Sequence, residues 1–221
     1  AMRLATIRHG GDLECAVIMA DGSALRLAAA ARAASIDGMA FASLQRLIEA
    51  GPDGLKAVRK LIDMGQAIAG SLLPAGAFSL AAPLPRPSKN VFCVGRNYAE
   101  HIAEGERAQN IKVGITEHPV FFTKPPTAVV GHGDAVPLFS AVSQQIDYEV
   151  ELAIVIGKPG RGITREKAFE HIWGYTIIND VTARDVQRRH GGQYFKGKGL
   201  DGSCPMGPWI VTADALPDPA R

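Results

Sequence analysis

The chain opens with short apolar runs broken by turn residues. "RLATI", "CAVIMA" and "ALRLA" are separated by "HGGD" and "DGS", a pattern that predicts three short strands with tight turns. An alanine-rich segment follows. "FASLQRLIEAG" and "DGLKAVRKLIDMG" then place apolar residues at i, i+3 and i+4 and end at glycine, as amphipathic helices do. Residues 1–70 therefore read as a small α+β unit.

Residues 64–85 carry no charge, which raises the question of a membrane span. Pro74, Pro83, Pro85, Gly65, Gly70 and Gly76 interrupt the stretch, so a continuous apolar helix of about 20 residues is not expected. Residues 71–85 read instead as a linker packed on a domain surface, with "AAPLPRPSKN" marking the boundary. The second unit is 86–221. In it "VFCVG" predicts a buried strand and "RNYAEHIAEGERAQ" a polar helix. "PVFFTKPPTAVVGHGDAVPL" is strand and turn material, residues 146–156 a strand, "TREKAFEHIWG" a helix with Thr164 as N-cap, and "YTIIND" another strand.

One strand breaks the usual pattern. In "QQIDYEVELAIVIG" alternate side chains share a face. Tyr148, Val150, Leu152, Ile154 and Ile156 point one way; Asp147, Glu149, Glu151, Ala153 and Val155 point the other. The second face starts acidic and turns apolar. It is either an edge strand with an exposed acidic end or a row of carboxylates lining a cleft. Two carboxylates about 4 Å apart repel by roughly 4 kcal/mol at an effective dielectric near 20. In a cleft, one would hold a proton or a cation would sit between them. Carboxylate oxygens select hard ions such as Mg²⁺, Mn²⁺ or Ca²⁺.

Other residues carry two readings each. Asp180 ends the strand "YTIIND" and either caps the next turn or joins the carboxylates. His101 and Glu104 share a helix face, as a surface pair or as a general base with its orienting carboxylate. Lys196 and Lys198 lie in the glycine-rich stretch "GGQYFKGKGLDGS", as solvated lysines or as an oxyanion partner. That stretch lacks the spacing of a phosphate-binding P-loop.

Composition narrows the partners. The 221 residues are 47% hydrophobic with a formal net charge of +2, and the basic residues are scattered. This offers no footprint for nucleic acid or an anionic membrane. Cys15, Cys93 and Cys204 show no zinc-like spacing, and so sparse a set fits a reducing cytoplasm. The N-terminal "AMRLATIRHG" has no apolar core of a secretion signal.

Taken in order, "VGRNYAEHIAE", "FFTKPPTAVVG", "IDYEVELAIVIGK", "GYTIINDVTARDVQ" and "KGKGLDGSCPMGPWIV" resemble the fumarylacetoacetate hydrolase family across about residues 86–212. Residues 1–85 resemble the small N-terminal domain of its bacterial members. The resemblance implies an α+β fold with a mixed β-roll catalytic domain, a homodimer, and Mg²⁺ or Mn²⁺, with Ca²⁺ acceptable in vitro. It implies Glu149, Glu151 and Asp180 as metal ligands and His101 with Glu104 as the pair that activates water. Lys198 would stabilise developing negative charge, and Arg184 and Gln187 would face the substrate. Lys124 of "TKPP" lies in a family motif without an assigned role. The implied reaction is hydrolysis of a C–C bond in a 2,4-dioxo acid, an acylpyruvate-like compound, through a metal-bound enolate. Decarboxylation, isomerisation or hydration of related oxo acids on the same site is the neighbouring possibility, and a non-catalytic binding scaffold a third. Gly199 stands where many members have Ser. Members also continue through further strands and a Thr-Gly-Thr-Pro loop. The resemblance therefore implies that closing strands of the roll lie outside these 221 residues.

Overall fold

The computed structural model describes residues 2–95, 97, 117–190 and 193–219, and only the backbone of Gln66, Ala67 and Ala69. The expected helix bearing His101 and Glu104 lies outside the described residues. The fold is α+β, with one large, mainly antiparallel sheet and few helices.

The N-terminal expectations hold in outline. Strands β1 (Arg3–His9) and β2 (Asp12–Ile18) form a hairpin, and β3 (Ala24–Arg26) adds to β2. The hairpin turns on Gly10 and Gly11, whose φ values of 59° and 91° favour glycine. The "ALRLA" run is strand only as far as Arg26, because Leu27 opens helix α1 (Leu27–Ala33). Alanines have the highest helix propensity and carry the chain on. Helix α2 (Leu44–Glu49) starts where the Ser43 side chain accepts the Arg46 N–H at 3.1 Å. Helix α3 (Gly51–Asp63) follows after Ala50 alone.

The remaining strands are β4 (Leu72–Leu73), β5 (Ser79–Leu80), β6 (Val91–Gly95), β7 (Val120–Lys124) and β8 (Val129–Val130). They continue with β9 (Ile146–Asp147), β10 (Val150–Ile156), β11 (Ile172–Asn179), β12 (Thr182–Ala183) and β13 (Cys204–Thr212). The large sheet runs β10-β11-β13-β1-β2-β3-β4, with β5 also on β1 and β8 parallel to β13. β6–β7 and β9–β12 form two small pairs. The sheet crosses the expected boundary: β1 lies on β13 with Leu4 opposite Ile210, and β4 and β5, both in 71–85, pair with β3 and β1. The main core crosses it too, since Leu4, Leu27, Phe41, Leu44 and Leu61 pack in one cluster with Trp173 and Ile210.

Two expectations change. "TREKAFEHIWG" forms 3₁₀ turns over Arg165–His171 rather than an α-helix, and Thr164 makes no side-chain cap to the backbone. β-branched and aromatic residues from Ile172 onward draw the chain into β11. The acidic strand of 146–156 is broken at Tyr148 and Glu149 into β9 and β10. Its faces separate as the alternation predicts. Glu151, Ala153 and Val155 are half-buried, with Glu151 opposite the buried Ile178. The apolar row Val150, Leu152, Ile154 and Ile156 is 44% to 68% exposed.

The β1–β13 seam sets the first prediction. Ile210→Ala removes a fully buried side chain from the shared core. Unfolding in urea should show a loss of about 2–5 kcal/mol; a loss under about 1 kcal/mol would mean that the seam is not a closely packed core.

Candidate active site

The break between β9 and β10 is what aims the acidic residues. At Glu149 the chain leaves the ladder, and its N–H donates to the Asn179 side-chain oxygen at 3.0 Å. The Asp180 N–H donates to the Glu149 carbonyl at 2.7 Å. The end of β11 and the start of β10 are thereby clamped together. β12 then pairs with β9, placing Thr182 opposite Asp147. A short helix, Arg184–Arg189, begins directly after β12. A one-turn helix, Phe195–Lys198, brings Lys198 back into the same space.

Three oxygens converge on the Lys198 ammonium. It donates to Glu149 Oε2 at 2.9 Å, to Asp180 Oδ2 at 2.7 Å and to Thr182 Oγ1 at 2.8 Å. The Phe122 ring lies on another side, its centroid 5.0 Å from Nζ. Lys198 is 2% exposed and Asp180 1%. A second lysine, Lys124 at the end of β7, is fully buried. Its Nζ donates to Asp180 Oδ1 at 2.8 Å, to the Val181 carbonyl at 3.1 Å and to the Lys198 carbonyl. Arg184 completes the set. It holds Asp147 Oδ2 through Nε and Nη2, both at 2.9 Å, pairs with Glu149 Oε1, and donates from Nη1 to Gln187 Oε1 at 3.3 Å. Burial pulls its pKa down, but the charges of Glu149 and Asp147 and its hydrogen bonds to both outweigh that, so the net shift is upward.

The charges balance: Lys124, Lys198 and Arg184 face Asp147, Glu149 and Asp180. This matters because an unpaired buried ion costs several kcal/mol. Of the residues implied by the resemblance, the structure brings together Glu149, Asp180, Lys198, Arg184 and Gln187. Glu151 lies on the half-buried face of β10. Among the described residues no three His, Cys, Asp or Glu side chains gather into one ligand set. Glu149 and Asp180 converge as a pair, with the Thr182 hydroxyl as a third oxygen. Those oxygens suit a hard cation. Lys196 is exposed. Lys124 and Thr182 took no site role from the sequence, and Asp147 entered only as a member of the acidic row. The signal for Lys124 was a lysine ending an apolar strand, and for Thr182 its place two residues after Asp180.

Two thiols border the cluster. Burial pushes Cys93 up to about 12, helped by Asp180 and Cys204 and opposed by Lys124 and Lys198. Burial pushes Cys204 up to about 11. Beside the one-turn helix opens a cavity of about 430 Å³. Val142, Val186, Phe195 and Leu200 line it together with His190 and the cationic Arg189 and Lys196.

Residues 90–221 match the family model described as "Fumarylacetoacetate (FAA) hydrolase C-terminal". The oxaloacetate tautomerase YisK of Bacillus subtilis is 51% identical over 142 residues, which are 64% of this chain and 46% of that protein. The solved fumarylacetoacetate hydrolase of Exiguobacterium antarcticum superposes with a TM-score of 0.75 at 38% identity, covering 100% of this chain and 69% of that one. A 2-hydroxyhepta-2,4-diene-1,7-dioate isomerase of Mycobacterium marinum does so with a TM-score of 0.64 at 30% identity, covering 96% and 66%. The chain spans about half the length of the curated relatives it matches.

The thiols provide the check on this geometry. With pKa values raised to about 12 and about 11, Cys93 and Cys204 stay protonated at mildly alkaline pH. Iodoacetamide should alkylate both slowly in the folded chain and rapidly in denaturant, where a thiol returns to about 8.5. Fast native alkylation of either would contradict the burial described here.

Proposed function

The chain belongs to the fumarylacetoacetate hydrolase family, and on that premise we propose that it works on the enol and keto forms of a small 2-oxo dicarboxylic acid, with oxaloacetate as the reference substrate. The observation that carries the reading is the convergence of Glu149, Asp180 and Thr182 oxygens on one buried cationic position beside Arg184. Keto–enol interconversion moves a proton between a carbon and an oxygen, and it needs fixed positive charge where the oxygen turns anionic. The name of the Bacillus subtilis relative supports tautomerisation. The cationic side chains of the neighbouring cavity suit a second carboxylate.

Enzymes of this family generally use divalent metals. Here Glu149 and Asp180 would hold the ion, with Thr182 beside them, and when bound it would supply Lewis-acid polarisation of the 2-oxo group. The chain's own groups do the rest. Arg184, steadied by Gln187, binds the substrate carboxylate. Lys198 offsets charge on the enol oxygen. By the family resemblance, His101 would exchange the proton at the substrate carbon, with Glu104 as its partner. The raised thiol pKa values keep Cys93 and Cys204 neutral, so neither adds negative charge beside an anionic substrate.

Hydrolysis of a 2,4-dioxo acid is the second reading. It is favoured by the superposition of all of this chain on 69% of the Exiguobacterium antarcticum hydrolase, and it would use His101 to activate water. One experiment separates the two. The enol absorbance of oxaloacetate and the cleavage of an acylpyruvate are followed with Mg²⁺ or Mn²⁺. Accelerated loss of the enol without acylpyruvate cleavage supports tautomerisation, and the reverse supports the hydrolase. Activity on neither would remove both. Arg184→Ala should lower kcat/KM by roughly 10²–10³-fold, as loss of one preorganised charge contact does.

A further inference from the structure

Asp180 and Glu149 each divide their two oxygens between different cations. Asp180 Oδ1 belongs to Lys124 and Glu149 Oε1 to Arg184. Asp180 Oδ2 and Glu149 Oε2 both belong to Lys198. Lys124 also donates to two main-chain carbonyls and is fully buried, so it is fixed in place. Lys198 is anchored differently. Its carbonyl accepts from Lys124 and from the Ser203 hydroxyl at 3.0 Å, which holds its backbone. Among the described residues its ammonium hydrogen-bonds only to side chains, on a flexible four-carbon stem. Lys124 and Arg184 thus orient the two carboxylates, while Lys198 fills the space between their remaining oxygens.

We propose that Lys198 is a tethered cation that a divalent ion displaces from the Glu149–Asp180–Thr182 cradle, turning its ammonium toward the substrate. This rests on the divalent ion of the proposed function. A divalent cation binds oxygens at about 2.0–2.6 Å. The ammonium lies within hydrogen-bond distance of those same oxygens, so the two cannot occupy the cradle together. Displacement needs only rotation of the Lys198 side chain, because its backbone is held by Lys124 and Ser203. The face of Phe122 lies beside its path. Ion binding and delivery of the charge that offsets the enol oxygen thereby become one event. Lys198 is then a competitor for the ion before it is a catalytic residue.

The test uses metal alone, in the absence of substrate. Mn²⁺ binding is measured by electron paramagnetic resonance for the wild type, Lys198→Met and Lys124→Met. Acetylation of lysines is mapped by mass spectrometry with and without Mg²⁺. Lys198→Met should bind Mn²⁺ about tenfold more tightly, as expected when a like charge leaves the site. Lys124→Met should bind it more weakly, because Asp180 loses the group that orients it. In the wild type, saturating Mg²⁺ should raise acetylation of Lys198 several-fold while Lys124 stays protected. Mn²⁺ binding with unchanged Lys198 labelling, or no gain in Lys198→Met, would overturn the displacement alone. Should Lys198→Met fail to fold, the wild-type labelling decides. No Mn²⁺ bound by the wild type would overturn the displacement and the metal-dependent function together.

Discussion

A carboxylate buried as deeply as Asp180 needs compensating positive charge, and here two lysines provide it from different parts of the chain. Lys124 comes from the end of β7 and Lys198 from the one-turn helix before β13. Arg184 adds the third cation by joining Asp147 and Glu149. Taking each ion out of water costs several kcal/mol, and only a fully paired arrangement recovers it. The cluster therefore constrains the surrounding structure: β7, the β9–β10 break, the end of β11 and the helix at Phe195–Lys198 must all arrive in register for the charges to balance.

That constraint explains the acidic row. A straight strand would have kept Asp147, Glu149 and Glu151 in line, about 7 Å apart by strand geometry. The break at Tyr148 and Glu149 turns two of them toward Arg184 and leaves Glu151 on the half-buried face of β10. The proposed keto–enol chemistry would depend on preorganised charge. Here the preorganisation comes from oxygens already assigned one by one to Lys124, Lys198 and Arg184, with main-chain contacts such as Asp180 N–H to the Glu149 carbonyl fixing the frame.

Much of this was legible in the sequence, for local reasons. Short apolar runs bounded by turn residues located β1, β2, β6 and β11, and the i, i+3, i+4 pattern located α2 and α3. The ordered motifs located Glu149, Asp180, Arg184, Gln187 and Lys198. What was not legible is non-local. Lys124 lies 56 residues from Asp180, and no periodicity announces a lysine buried by a distant partner. The union of β1 with β13 spans nearly the whole chain, so a division at the proline-rich stretch looked natural while the sheet ran through it. Residues 165–171 followed propensity in sequence, but the pull of β11 prevailed. His101 and Glu104 entered through their i, i+3 spacing and the resemblance, and lie outside the described residues.

The central claim is that Asp180 and Lys198 act as a coupled buried pair rather than as independent polar residues. A double-mutant cycle on folding stability, with Asp180→Asn, Lys198→Met and the two combined, tests it most directly. Each single change should cost up to about 3–5 kcal/mol by leaving the buried cluster with one uncompensated charge. The double variant should cost less than their sum by about 0.5–3 kcal/mol. Strict additivity would contradict the account, because it would mean that the two charges do not depend on each other.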